Sequence, residues 1–115
     1  MTAKFIAVYE TPADPPEFDR HYRSVHVPLA RHLPGLRRFT LSADMAGVRG
    51  SPYHLIAELE WDTIEDLRGA FASPAGRATA ADAARLAEMA VVRSMVFVTE
   101  SFEKDDPPDP PGHRH

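Results

Sequence analysis

The sequence predicts an α+β fold made of two consecutive β-α-β units, and three observations support this expectation. Four segments rich in aromatic and β-branched residues indicate strands, at 4–10, 36–43, 53–61 and 92–102. Helical patterns occupy the interval between the first two segments and the interval between the last two. A chain of 115 residues has room for one such domain.

The first unit contains the strand KFIAVYE and a helix with a clear start and end. Asp14 can cap this helix, and Glu17 stands at the matching capping-box position. Apolar residues then recur at spacings of three and four, at Phe18, Tyr22, Val25, Leu29 and Leu33. This pattern predicts one buried face, centred near Val25 and Leu29. Gly35 in LPGL is typical of a helix end, and LRRFTLSA follows as the second strand.

The second unit repeats this plan. The segment YHLIAELEW alternates between two faces, as a strand does. Thr63 and Asp66 form a capping pattern for a short helix that ends near Ala72. Ser73 then begins an alanine-rich helix that extends to Ala90, and VRSMVFVTESF is the last strand. The order β-α-β-β-α-β predicts a ferredoxin-like domain with a four-stranded antiparallel sheet and its helices on one face.

We place this domain at residues 1–102. The remaining segment, 103–115, contains four prolines and almost no apolar residues. Such a composition cannot bury enough apolar surface to become ordered, so we expect a flexible C-terminal tail.

The strands carry apolar residues on both faces. The first strand has Ile6 and Val8 on one side and Phe5 and Tyr9 on the other, and the last strand shows the same property. Helices cover only one face of the predicted sheet, and large exposed apolar patches are rare on monomers. We therefore expect a two-fold homodimer, formed through the sheet face opposite the helices.

Composition excludes several classes of partner and site. The net charge of −4 gives no basic surface for nucleic acid. The absence of cysteine excludes disulfides, thiolate metal sites and a cysteine nucleophile. No apolar run resembles a signal peptide or a membrane span, so we expect a cytoplasmic protein without a membrane partner.

The first helix carries three histidines, His21, His26 and His32. At 100° per residue, His26 falls on one border of the apolar stripe and the other two fall on the opposite border. No two are spaced by four, so a metal site is not expected. Pro28 lacks an N–H and deprives the carbonyl of Ser24 of its helical partner, which should bend the helix beside His26. A protonatable group at the rim of a pocket is one interpretation, and an ordinary hydrogen-bonded histidine is the other.

The segment FDRHYRSVHVPLARHLPGLRRF, residues 18–39, resembles the EthD family. In that family a Tyr-x-x-x-His-x-Pro-Leu run precedes a Leu-Pro-Gly-Leu turn and an aromatic residue in the next strand. The matching positions are Tyr22, His26, Pro28, Leu29, Leu33, Pro34, Gly35, Leu36 and Phe39. Residues 71–86, FASPAGRATAADAARL, also resemble the second-helix segment of the family. The resemblance extends over residues 4–102.

The resemblance implies a dimeric α+β barrel similar to methylmuconolactone methylisomerase and the antibiotic-biosynthesis monooxygenases. It implies a small hydrophobic pocket between helices and sheet, usually without a metal or organic cofactor, and many members are described as oxidoreductases. The predicted catalytic residues are His26 and His54. The predicted ligand-binding residues are Tyr22, Phe39, Tyr9 and Trp61. Related isomerases are similar but have a tyrosine where this chain has Phe39, so one polar group of that chemistry is missing.

Two functions follow as expectations. One is a small cofactor-independent enzyme, of the oxidoreductase or isomerase type, that uses His26 as acid and base on a small hydrophobic organic molecule. The other is a non-catalytic ligand-binding or accessory protein of a degradation or biosynthesis pathway. No Gly-rich phosphate loop supports a bound nicotinamide or flavin. His54 has an alternative as a partner of Glu58, and Trp61 has one as a packing residue.

Overall fold

The computed structural model describes residues 1–107 and confirms the predicted order of strands and helices. The strands are β1 (Ala3–Tyr9), β2 (Arg38–Leu41), β3 (Leu55–Trp61) and β4 (Val92–Val98). The helices are α1 (Pro15–His21), α2 (Val27–Ala30), α3 (Ile64–Ala72) and α4 (Pro74–Met89). A π-helical turn, Tyr22–His26, joins α1 to α2 without a break, and we call residues 15–30 the first helical segment.

The sheet has the strand order β2-β3-β1-β4, and every neighbouring pair is antiparallel. This is the ferredoxin-like arrangement predicted above. In the register of the sheet, Ala7 lies opposite Ala57 on one side and Ser94 on the other. Alternate residues of β1 and β3 are buried beneath the helices, which places the core between the helical layer and one face of the sheet.

The helix starts follow the predicted capping chemistry. The Asp14 Oδ1 atom accepts a hydrogen bond from the backbone N–H of Glu17 at 3.2 Å, and the Thr63 Oγ1 atom accepts one from Asp66 at 3.1 Å. Ser73 caps α4 in the same way. Gly35 adopts a φ of 70°, the left-handed conformation that the turn after the first helical segment requires.

The buried face of the first helical segment differs from the prediction. The expected centre at Val25 and Leu29 is wrong, because the Val25 side chain is 37% exposed while Tyr22 and His26 are buried. The cause is the π turn, in which the backbone N–H of Val27 bonds to the carbonyl of Tyr22. This wider turn rotates the residues after it relative to an α-helix. The bend predicted beside Pro28 stays a prediction, and what the structure shows there is a π turn that ends two residues before the proline.

The outer face of the sheet is partly apolar and partly charged. Met95 and Phe97 of β4 are 46% and 39% exposed. At the centre of the same face, Lys4 lies 3.3 Å from a carboxylate oxygen of Glu58 and 3.6 Å from one of Glu60. Glu58 thus pairs with Lys4, and not with His54 as one interpretation held. The dimer predicted through this face stays a prediction.

The last strand and the tail agree only in part with their predicted limits. β4 ends at Val98, four residues before the predicted end of the strand. Residues 103–107 are exposed and without regular structure, and 108–115 lie outside the described residues. The domain limit at 102 and the flexible tail therefore stay predictions. No helix in the described part of the chain is long and apolar enough to span a membrane.

Candidate functional site

A cavity of about 300 Å³ lies between the helices and the inner face of the sheet. Its walls are mainly apolar, and small residues face it from both layers, among them Ala7, Ala57 and Ala83. The volume lies at the lower end of the range for small-molecule sites, about 300–1,000 Å³. A partly open, largely apolar cavity of this size fits a compact organic molecule.

Three polar aromatic side chains line the cavity together: Tyr9, Tyr22 and His26. We call them the Tyr-Tyr-His cluster. The ring centroids of Tyr9 and Tyr22 are 5.7 Å apart, and those of Tyr22 and His26 are 5.0 Å apart. Tyr9 is the last residue of β1, while Tyr22 and His26 are the first and last residues of the π turn. Since a π turn holds more than four residues, positions four apart project to the same side.

Asp82 of α4 is hydrogen-bonded to the histidine just before the π turn and to the histidine at its end. Its Oδ2 atom is 2.9 Å from Nδ1 of His26, and its Oδ1 atom is 2.8 Å from Nε2 of His21. The prediction that His21 and His26 lie on opposite borders of the helix is therefore wrong, because the π turn brings both to one carboxylate. Asp82 is only 6% exposed, so this carboxylate lies in the interior. It ties the first helical segment to α4.

Sequence reasoning missed Asp82. The signal available was its isolation, since it is the only acidic residue between positions 74 and 87 of an alanine-rich helix. A lone acidic residue of this kind can as well face solvent, and the spacing of the two histidines gave no reason to pair them.

The surroundings of His26 and Asp82 set the protonation states of both side chains at neutral pH. Burial lowers the pKa of His26, and the hydrogen bond and charge of Asp82 offset this only in part. Burial raises the pKa of Asp82, but hydrogen bonds from His21 and His26 outweigh it, so the pKa ends below its usual value. Asp82 is thus a carboxylate and His26 a neutral imidazole. Its Nδ1–H donates to Asp82, which leaves the Nε2 lone pair for the cavity.

The two tyrosines remain protonated. Burial, followed by the negative charge of Asp82, raises the pKa of Tyr9 to about 12. Burial, followed by the proximity of Tyr9, raises the pKa of Tyr22 further. Both phenols are therefore hydrogen-bond donors throughout the physiological pH range.

Of the other three predicted site residues, one lines the cavity and two do not. Phe39 of β2 lines it, as expected. Trp61 does not line it: the side chain is fully buried, and its Nε1–H donates to the carbonyl of Pro34 at 2.9 Å. His54 precedes β3, and its Nε2 atom is 2.8 Å from Oδ1 of Asp19. The structure therefore brings together Tyr9, Tyr22, His26 and Phe39, while Trp61 and His54 stand apart from them.

The histidine–aspartate cluster is a hydrogen-bonded unit. Each imidazole directs one nitrogen at its own oxygen of Asp82. Within residues 1–107, no three side chains of the metal-binding types form a group that could hold a metal ion.

Comparison with known proteins places the chain among relatives of this architecture. The family model for the EthD domain matches residues 10–90. An uncharacterised 11.0 kDa protein of Rhodococcus erythropolis, from the thcB–thcC intergenic region, is 39% identical over 95 residues, which cover 81% of this chain and 89% of that protein. The crystal structure of an EthD family protein from Bacillus halodurans is 32% identical, with a TM-score of 0.77, and covers 87% of this chain and all of that one.

A more distant structure shares the fold. SnoaB of Streptomyces nogalater, a cofactor-independent oxygenase, has a TM-score of 0.65 at 17% identity. The match covers 90% of this chain and 98% of that protein. At this level of identity the likeness concerns the fold alone.

Proposed function

Because the chain belongs to the EthD family, we propose that it is a small enzyme acting on a compact, largely apolar organic molecule, with His26 as the group that moves the proton. The observation that carries the proposal is the position of His26. Its Nδ1–H is bonded to a buried carboxylate, and its ring forms part of the cavity wall. An imidazole fixed in this tautomer is arranged as a general base.

The proposed chemistry begins with removal of a proton from the substrate by Nε2 of His26. The imidazolium that forms is stabilised by the Asp82 carboxylate 2.9 Å from Nδ1. Return of the proton to another carbon of the substrate is an isomerisation. Reaction of the carbanion with dioxygen as the oxidant is the oxygenase alternative, and the description of SnoaB as a cofactor-independent oxygenase favours keeping it. We propose that this chain, too, works without a metal or organic cofactor.

His21 and Asp82 serve as positioning residues in this scheme. Asp82 orients the His26 ring, and His21 occupies the second carboxylate oxygen at 2.8 Å. With both oxygens engaged, the carboxylate cannot rotate away from His26 without losing a second hydrogen bond. The arrangement keeps the free nitrogen of His26 directed at the cavity.

A binding protein without catalysis is the second candidate. It is favoured by the structural part that the same histidine plays, since His26 joins the π turn to α4 through Asp82. In that case the ring would only orient a ligand or stabilise the fold.

We also propose that the active form is a homodimer. The support is the exposure of Met95 and Phe97 on the sheet face opposite the helices. A second copy related by a two-fold axis would cover the apolar part of this face.

The experiment that tests the enzyme proposal compares two histidine variants. Lactones, quinones and polyketide-like aromatic compounds are screened for conversion by the wild-type protein, and turnover is then measured for His26→Gln and His54→Gln. His54 is also bonded to a carboxylate but is not among the residues that line the cavity, so the second variant tests whether it is the second catalytic residue predicted from the sequence. We expect His26→Gln to lose about 100-fold or more in kcat.

Other outcomes have distinct meanings. Equal kcat in His26→Gln and wild type would reject His26 as the proton carrier and favour the binding protein. A comparable loss in His54→Gln would support the prediction that His54 is a second catalytic residue. Circular dichroism and the melting temperature of each variant separate loss of chemistry from loss of fold.

A further inference from the structure

Within residues 1–107, the hydroxyl groups of Tyr9 and Tyr22 have no hydrogen-bond partner. Both residues are almost fully buried, at 3% and 2% exposure, yet neither hydroxyl forms a hydrogen bond to any other group in residues 1–107. No described side-chain oxygen or nitrogen is both inaccessible and unpaired, so each hydroxyl keeps access to open space. Since both residues line the cavity, that space is the cavity. A hydroxyl that opens onto the cavity takes its hydrogen-bond partner from there, so a ligand with an acceptor atom can supply it.

The charges around the cavity limit what the partner can be. Among residues 1–107, neither lysine nor arginine lines the cavity, so no permanent positive charge there would neutralise a carboxylate or phosphate. The Asp82 carboxylate bonded to His26 creates a negative electrostatic potential in this part of the cavity, which further opposes an anionic ligand. Two neutral O–H donors beside a neutral imidazole therefore favour an uncharged acceptor oxygen.

From these observations we infer that the cavity binds a neutral carbonyl compound, a ketone, aldehyde or lactone of about one or two rings, whose carbonyl oxygen accepts hydrogen bonds from Tyr9 and Tyr22. The apolar body of the ligand lies against the alanine and aromatic side chains of the opposite wall. This inference rests on the proposed function only for the role of the site in catalysis. The preference for a carbonyl compound is inferred from the hydroxyl groups of Tyr9 and Tyr22 and does not depend on catalysis.

A carbonyl oxygen at this position gives the proton transfer a defined course. Nε2 of His26 takes a proton from the carbon next to the carbonyl, and the electron pair of that C–H bond forms a carbon–carbon double bond. The π pair of the carbonyl moves onto oxygen, where the two phenol O–H groups stabilise the negative charge. In an unsaturated substrate His26 then delivers the proton to the far carbon of the conjugated system while the electron pair on oxygen re-forms the carbonyl, so the double bond has moved and the step balances without an added oxidant or reductant.

The test uses three probes of nearly the same size. Acetophenone carries the carbonyl oxygen, α-methylstyrene replaces it with CH₂ in the same shape, and benzoate replaces the acetyl group with a carboxylate. Dissociation constants are measured by calorimetry for the wild-type protein. We expect acetophenone to bind about 10-fold more tightly than α-methylstyrene, as one net hydrogen bond would give, and benzoate to bind most weakly.

Tyrosine variants assign the effect to its residues. Tyr9→Phe and Tyr22→Phe should each reduce the preference for acetophenone, and the double variant should abolish it. Tyr53→Phe is the matched control, since Tyr53 is 44% exposed and does not line the cavity. The ¹³C resonance of the labelled carbonyl should move downfield on binding to the wild-type protein, and less in each cavity variant.

Several results would overturn the inference. These are α-methylstyrene binding as tightly as acetophenone, benzoate binding most tightly, no binding of acetophenone up to its solubility limit, or an equal loss in Tyr53→Phe. If a cavity variant fails to fold, the probe ranking and carbonyl shift in the wild-type protein decide. Unchanged turnover in His26→Gln would reject the proposed catalysis while leaving the probe preference intact, so the two failures are distinguishable.

Discussion

Replacing Asp82 with asparagine tests the cluster that orients His26. The substitution preserves the shape of the side chain but removes its charge. Asp82 accepts hydrogen bonds from His21 and His26 with separate oxygens, whereas asparagine offers one acceptor oxygen and one donor NH₂ group. One of the two imidazoles must therefore change its tautomer and accept a hydrogen bond from the amide.

The expected cost follows from the two hydrogen bonds. Both are charge-assisted in the wild-type protein, and both become neutral in Asp82→Asn. Because a charge-assisted bond is about 1 kcal/mol stronger than a neutral one, the free energy of unfolding should fall by about 2 kcal/mol. For a domain of this size the melting temperature should fall by about 8 °C. The attraction that offsets the burial of His26 is also removed, so its pKa should decrease further.

Two measurements check this reasoning. Urea denaturation at pH 7 gives the change in unfolding free energy, and ¹⁵N NMR of the imidazole rings gives the pKa and tautomer of His26. Asp62→Asn is the control, because Asp62 forms an exposed ion pair with Arg37 at 2.7 Å and should leave stability nearly unchanged. An Asp82→Asn protein as stable as wild type, or one in which the pKa of His26 rises, would contradict a buried, ionised Asp82.

Four further predictions follow from other parts of the molecule. His26 has a lowered pKa in the folded state, so its stabilising contribution is complete above about pH 6.5 and is lost as the pH falls. The variant His26→Gln should therefore flatten the decline of stability between about pH 7 and 5. An unchanged slope would contradict this. Light scattering should give about twice 12.8 kDa, and Met95→Glu should convert this species to monomer or aggregate; a wild-type monomer at micromolar concentration would exclude the dimer. Deletion of residues 103–115 should change the melting temperature by no more than about 2 °C, and a large decrease would mean that the tail packs on the domain. Gly76→Ala should cost about 1–3 kcal/mol, because its Cβ would collide with the carbonyl oxygens at the end of α3, whereas Gly69→Ala, with open space around it, should not destabilise.

The fold was accessible from sequence because its signals are local and agree with one another. Asp14, Thr63 and Ser73 each mark a helix start with a side-chain oxygen that does cap the helix. The alternation of β3 reports its two faces directly, with Leu55 and the residues at every second position after it buried. Such patterns depend only on neighbouring residues, and antiparallel order then follows from the short list of topologies that β-α-β units permit.

The site was accessible only in part, because it depends on a departure from regular helix geometry. Tyr22 and His26 were placed in the pocket by family resemblance, while a helical wheel at 100° per residue put His26 at a border and His21 opposite to it. One π turn invalidates that wheel for every later residue. The signal was the regular spacing of four from Phe18 to Ala30, whose members are all buried. A spacing of four is shared by α-helical stripes, so it does not identify a π turn by itself.

The π turn and the alanine-rich helix α4 both contribute walls to the cavity. A domain of this size would normally fill the space above its sheet with large side chains. Here α4 presents small residues such as Ala80 and Ala83 to that space, and Tyr22 and His26 of the π turn line it from the other element. An empty cavity reduces stability, and Asp82 offsets part of that loss by linking the two elements that form its walls. The same carboxylate also fixes the His26 imidazole that lines the cavity, so the stability of the two walls and the proposed chemistry share this contact.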